Sequence, residues 1–199
     1  GIITQPDKPQ GRKQIFTPSP TKVFGTNHNV PVLTPPKLDD EFITNLNLQF
    51  PTVDLCILAA YGKIIPSNLL NLPKFGFINI HPSQLPKFRG ATPTLGPILR
   101  GESTTAISYM VMDNLMDHGP IITQTQFPIL PDINRDQLTK LMFHTASEQI
   151  TLIINKFLKF HQSTPQNHDQ ATFTPILTKQ DGFISWETLT QAMNAINIP

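Results

Sequence analysis

Phe75-Gly76-Phe77-Ile78-Asn79-Ile80-His81-Pro82-Ser83 is the stretch on which the reading of this chain turns. Phe75 to Ile80 is apolar at nearly every position, the pattern of a strand buried on both faces. Pro82 ends it, because proline has no N–H to give a ladder. Residues two apart on a strand point to the same side, so Asn79 and His81 project together while Ile78 and Ile80 pack the other face. Open parallel sheets bind ligands outside the carboxyl ends of their strands. An amide and an imidazole therefore stand side by side at such a crevice. The amide N–H can hold a developing oxyanion and the imidazole can trade a proton near neutral pH, a pair suited to acyl transfer. Asn-x-His alone is a weak signal, since a histidine at a strand end is more often a hydrogen-bonded structural residue.

Outward from this strand, apolar runs alternate with helical patterns. Val53 to Ala60 reads as a second strand buried on both faces. Gly1-Ile2-Ile3-Thr4 reads as a strand tail, Val30 to Leu33 as a short strand, and Thr104 to Val111 and Pro120 to Ile129 as β-rich runs. A helix starting near Ser19-Pro20 would place Val23 and Phe24 inward. Asp39-Asp40-Glu41 opens another, with acids where the macrodipole favours them and Phe42, Ile43 and Leu46 at helical spacing. Thr92 to Arg100 reads as a helix capped by Thr92 with Pro93 first. The longest helical pattern runs from 134 to 160, with Leu138, Leu141, Met142, Ala146, Ile150, Ile153, Ile154, Phe157 and Leu158 forming its stripe. Asp181-Gly182 is a hairpin signal, and Thr188 to Ile196 reads as a short helix or the start of a linker. Strands alternating with helices predict an α/β fold with a mainly parallel sheet.

Composition sets the outer bounds. A chain of 199 residues supports one ordinary core. No apolar run approaches the ~18 residues of a membrane-spanning helix. Charged residues make up only 15%, against roughly 25% in an average soluble protein. The single cysteine, Cys56, excludes an intramolecular disulfide and a thiolate metal cluster, and its apolar surroundings predict a buried, inert thiol. The cytosol is the simplest compartment, and no secretion signal is visible at the start. Residues 1–100 carry ten Lys and Arg against five acids, whereas residues 101–199 carry five against nine. An anionic partner would therefore meet the N-terminal half. There is no Gly-rich phosphate loop and no His pair at metal-binding spacing, so no metal site is expected.

A second polar cluster, Met112-Asp113-Asn114-Leu115-Met116-Asp117-His118-Gly119-Pro120, follows the Thr104 to Val111 run. If it returns over the same crevice, a carboxylate there can orient His81 or hold it protonated. The plain alternative is a solvated turn built of turn residues. His118 beside Asp117 is a second candidate acid or base.

The run Asn79-Ile80-His81-Pro82-Ser83-Gln84-Leu85-Pro86-Lys87-Phe88-Arg89-Gly90-Ala91-Thr92-Pro93, followed by this second cluster, closely resembles the folate-dependent formyltransferases. The resemblance implies a Rossmann-like parallel sheet and a catalytic set of Asn79, His81 and Asp117. In it, Asn79 and protonated His81 hold the oxyanion and Asp117 sustains the imidazole charge. It implies 10-formyltetrahydrofolate as donor, with the pterin against Tyr61, Gly62, Lys63, Ile64 and Ile65, the loop Ser83, Gln84, Leu85 and Pro86, and the segment Val111, Met112, Asp113 and Asn114. Gln5-Pro6-Asp7-Lys8-Pro9, Thr17 to Lys22, and Gln170 to Pro175 resemble the members that formylate the methionine carried by initiator tRNA. By the same resemblance Lys8, Arg12 and Lys13 meet the tRNA. The alternatives are a nucleotide-amino-sugar N-formyltransferase and a non-catalytic remnant.

The resemblance departs from the family pattern at Gln84, at His118 and in a shorter, less basic loop at residues 11–14. Because only Gly1 to Thr4 precede Gln5, it further implies that the family's first strand and helix, and its C-terminal domain, lie outside this sequence. The expected division is a catalytic domain over 1–168 and a linker over 169–199, in a monomer of the cytoplasm, or of an organelle matrix if a targeting segment has been lost.

Overall fold

The computed structural model describes residues 1–188 and Gln191, so most of the segment expected beyond Thr188 lies outside the described residues. The elements run β1 (Ile2–Ile3), β2 (Lys8–Gln10), β3 (Ile15–Thr17), α1 (Pro20–Asn27), β4 (Val32–Leu33), α2 (Asp40–Gln49) and β5 (Cys56–Leu58). They continue with α3 (Ser67–Leu70), β6 (Phe77–His81), β7 (Arg89–Gly90), α4 (Leu95–Leu99), β8 (Thr104–Val111), β9 (Ile121–Pro128), α5 (Arg135–Phe160) and β10 (Phe173–Thr174). The class is the expected one, α/β with helices flanking a central sheet.

That sheet has the order β5-β6-β8-β9. β5 and β6 pair in parallel, while β8 joins β6 antiparallel and β9 returns along β8. The direction of β9 follows from its connection: β8 and β9 are joined by the short 112–120 loop, too short for the crossover a parallel pair needs. β6 is buried at all five positions. Ile78 and Ile80 enter the main core with Ile107 and Tyr109 of β8 and Leu138, Met142, Ala146, Ile153 and Phe157 of α5. Phe77, on the other face, joins a second core with Leu46, Ile65, Leu69 and Leu70. Asn79 and His81 share that face with Phe77 by the strand's two-residue period.

α5 holds the main core in place. The Asn134 side chain accepts from the Gln137 backbone amide while the Gln137 side-chain oxygen accepts from the Asn134 backbone amide, a reciprocal cap that satisfies two helix-end donors. Leu138 and Met142 are fully buried, each contributing roughly 1.5–3 kcal/mol by its removal from water.

Four local expectations are corrected. α1 begins where expected, with Ser19 capping Lys22, but Val23 and Phe24 face outward. Its buried position is Gly25, which lies so close to Val32 that a Cβ would collide with it, so the glycine face, not the apolar one, meets β4. β5 is shorter than expected and not buried on both faces, with Ile57 about half exposed (48%). α4 starts after Thr94, because the Thr92 hydroxyl donates to the Pro175 carbonyl instead of capping a helix. Asp181-Gly182 forms a 3-10 turn rather than a hairpin, its carboxylate accepting from the Thr178 amide and hydroxyl, and Phe173–Thr174 pair in parallel with β7.

Among the described residues β1 pairs only with β4, so the small β1–β4 ladder stands apart from the four-stranded sheet. Between β1 and the outer edge of β5 runs an apolar groove of about 730 Å³ walled by Ile3, Leu33, Leu46, Cys56, Leu58 and Phe77. Cys56 is half-buried in that wall, not enclosed as expected, and burial pushes its thiol above the ordinary value. A thiol reagent is therefore expected to label the native protein, more slowly than the unfolded chain and faster as pH rises. Labelling that appears only in denaturant would mean that the groove is closed in solution.

Candidate active site

The carboxyl end of β6 and the 112–120 loop bring three polar side chains together. Asn79 and His81 are each less than a tenth exposed. The Asp117 carboxylate lies 3.4 Å from both the Asn79 Nδ2 donor and the His81 Nδ1 atom through the same oxygen, Oδ1. Its other oxygen accepts from the Gly90 amide at 2.8 Å. Loop and strand thus meet as the hairpin topology requires, and Asn79, His81 and Asp117 converge.

The protonation pattern follows from the partners. His81 Nε2 lies 3.2 Å from the Phe88 carbonyl, which can only accept, so Nε2 carries a proton. Nδ1 then holds a lone pair facing a carboxylate, and one proton between Nδ1 and Oδ1 would complete the contact. Burial pushes the imidazole below its ordinary value; the Asp117 charge and the Phe88 bond oppose this, and Arg89 adds to it. Burial thus favours the neutral ring, while the carboxylate beside Nδ1 favours the imidazolium, so the two partners share the cost of a proton at this place. The arrangement combines an amide donor with a vacant, electrostatically favoured place for a proton.

The remaining candidate residues fall into two groups. Ser83 and Leu85 are buried, Gln84 and Pro86 half-buried, and Ser83 donates to the Lys87 carbonyl. The loop they form is pinned by Ser108, which donates to the Ser83 carbonyl and accepts from the Leu85 amide and Gln124. Tyr61 is half-buried, and its hydroxyl is buried without a protein partner. Gly62 is exposed, Ile64 almost fully so, and Ile65 belongs to the second core. The Lys63 ammonium donates to the Pro35 and Pro36 carbonyls. Val111 and Met112 spend their amides on Pro120 and Phe77, Asp113 holds His118 at 2.6 Å, and Asn114 is exposed. Lys8, Arg12 and Lys13 are exposed on the β2–β3 hairpin and its turn, with the exposed Ile15 and Phe16 on the same hairpin.

Arg89, Gln166 and His168 were not expected from sequence. Arg89 is 3% exposed and donates through Nη2 to Gln166 Oε1 at 2.6 Å and to His168 Nδ1 at 2.9 Å. The His168 ring stacks on His118 at 3.9 Å. Gln166 and His168 come from a segment that an apolar-pattern reading passes over as a polar loop, and nothing local marks it as buried, while Arg89 stands in the run that carries the family resemblance. The boundary expected between 168 and 169 falls inside the 3-10 turn His168–Gln170, and Thr172 beyond it bonds back to Phe88 and Arg89.

The family profile described as Formyl transferase matches residues 1–154. A methionyl-tRNA formyltransferase of Chloroflexus aurantiacus is 39% identical over 188 residues, covering 94% of this chain and 60% of the relative. One from Halalkalibacterium halodurans is 39% identical over 186 residues, covering 93% and 58%. The chain thus spans about three fifths of the length of these curated relatives. Among solved structures, a phosphoribosylglycinamide formyltransferase of Bacillus halodurans superposes with a TM-score of 0.64 at 24% identity, covering 81% of each chain, which shows a shared fold. Among the described residues no helix is long and apolar enough to cross a membrane.

Proposed function

The chain belongs to the formyl transferase family, and from that premise we propose that it transfers the formyl group of 10-formyltetrahydrofolate to the amino group of methionine on initiator tRNA. The observation that carries the reading is the convergence of Asn79, His81 and Asp117 at one strand end. The names of the relatives supply the acceptor.

In this reaction the methionine nitrogen adds to the formyl carbon, and the carbonyl electron pair moves onto oxygen. The oxyanion accepts from Asn79 Nδ2, whose bond to Asp117 at 3.4 Å is long enough to leave it available. The proton lost by the nitrogen enters the gap between His81 Nδ1 and Asp117 Oδ1, where the carboxylate stabilises an imidazolium. It is then given to the folate nitrogen as the C–N bond breaks, leaving tetrahydrofolate and formyl-methionine. Asp117 is the more exposed of the pair and faces the incoming amine.

For the donor, the partnerless Tyr61 hydroxyl and the buried Ser83 to Leu85 loop support a site lined by residues 61–65, 83–86 and 111–114. Lys63 and Ile65, already engaged elsewhere, shape it through the backbone. The catalytic unit, 1–168, uses Thr172 to Pro175 of the following segment to fasten β7. We place the protein in the cytoplasm, acting as a monomer.

Incubating the protein with the donor and, in parallel, methionyl initiator tRNA, a nucleotide amino sugar and glycinamide ribonucleotide tests the reading. Only the tRNA should become formylated, and formylation of either small acceptor instead would sink the assignment. Arg12→Ala and Lys13→Ala should each raise the KM for tRNA with little change in kcat, and lower the slope of log affinity against log salt by about 1 per lost phosphate contact. An unchanged salt slope would remove the β2–β3 hairpin from the tRNA interface.

A further inference from the structure

Asp117 has a left-handed backbone, with φ of 50°, a conformation that costs a non-glycine residue roughly 1 kcal/mol or more and persists only where its surroundings fix it. The fixing group is Gln166. Its Nε2 donates to the Asp117 carbonyl at 2.9 Å and to the Gly119 carbonyl at 2.7 Å, gripping the residues on either side of His118. Gln166 is 6% exposed. Its amide is itself oriented, since Oε1 accepts from Arg89 and leaves Nε2 to face the two carbonyls. Gly119 tolerates no other residue, because a Cβ there would collide with the Val111 carbonyl, so the loop passes close to β8 at the point where Gln166 grips it. Arg89 precedes Gly90, whose amide binds the Asp117 carboxylate, so one dipeptide of β7 reaches Asp117 both directly and through Gln166.

We infer that Gln166 is a positioning residue for formyl transfer, holding the Asp117 backbone so that its carboxylate stays against His81 Nδ1. The inference rests on the proposed function for its catalytic meaning, while its geometric content stands on its own. Gln166 touches no reacting atom. It acts by clamping the loop, and its loss lets the carboxylate drift from the imidazole.

The charged groups facing His81 are Asp117, from the 112–120 loop, and Arg89, from β7; Asn79 on its own strand and Ser108 on β8 are neutral. Loss of the Asp117 contact therefore lowers the His81 titration midpoint. The test is an NMR titration of the His81 imidazole in the whole protein as wild type, Gln166→Met, Asp117→Asn and the double variant, with kcat and donor KM measured alongside. Methionine keeps the length of the side chain without its donors. Gln166→Met should lower the His81 midpoint toward that of Asp117→Asn, reduce kcat by roughly 10-fold or more with little change in donor KM, and add nothing in the Asp117→Asn background.

Gln166→Asn, milder for folding, should move the midpoint less and in the same direction. A folded Gln166 variant with an unmoved His81 midpoint, or activity that falls only as the folded fraction falls, overturns the inference. If the wild type formylates none of the acceptors, the proposed function fails, while the midpoint shift still decides whether Gln166 positions Asp117.

Discussion

His81→Ala should lower the rate of formyl transfer by roughly 10²–10⁴-fold, the range that a positioned acid or base contributes. The imidazole is the centre of the constellation: Nε2 is committed to the Phe88 carbonyl, which sets the ring's orientation, and Nδ1 faces the carboxylate that shares the transferred proton. Alanine removes both contacts and leaves Asp117 with the Gly90 amide and a weak bond from Asn79. The loss should appear in kcat at saturating donor and acceptor, because the ring is buried behind the carboxylate and contributes little to substrate binding. Wild-type kcat in the alanine protein would show that the transfer runs through other groups.

Asp117→Asn is the second large effect, a fall of roughly 10²–10³-fold. The amide keeps the shape and can still accept from Gly90, but it carries no charge to sustain the imidazolium. Its pH dependence has a definite sign. In the folded protein the His81 value is already lowered by burial, and Asp117 opposes that lowering. Asparagine therefore drops it further, and the limb of the pH-rate profile that reports His81 moves to lower pH.

Stability follows the same linkage. A histidine whose folded value lies below its unfolded value costs nothing above the ordinary value of 6.5 and destabilises progressively as pH falls below it. Acid unfolding of Asp117→Asn should accordingly begin no lower in pH than that of the wild type. A pH-rate limb that stays in place would show that it belongs to another group.

The part of this site legible in the sequence is the part governed by local periodicity. Asn79 and His81 fall on one side of a strand because the period is two, and Pro82 marks where that strand stops. Asp117 is reached only with the added resemblance, since nothing in Met112 to Pro120 says that the loop folds back over β6. Arg89 and Gln166 lie 77 positions apart, and no window of sequence links them. Similar limits govern the fold. Helix α1 reads correctly as a helix, but which face it buries depends on how closely its neighbour approaches, and Gly25 permits the nearest contact. Thr92 reads as a cap until Pro175, far along the chain, takes its hydroxyl.

The groove between β1 and β5 also decides how the molecule bears load. Ladder hydrogen bonds resist sliding because they are directional and act in parallel, whereas apolar contacts give way to shear with little resistance in any one direction. Tension on the N-terminal end is carried by β1, through the bonds of Ile2 to Pro31 and Thr4 to Leu33, into β4. Across the groove the bonds are made by side chains, Gln5 donating to the Tyr61 carbonyl and Lys63 to the Pro35 and Pro36 carbonyls, beside the apolar lining of Ile3, Leu33, Cys56 and Leu58. The β1–β4 ladder is therefore fastened to the rest of the molecule by side-chain bonds rather than by a shared ladder, while β5, β6, β8 and β9 hold a register of their own.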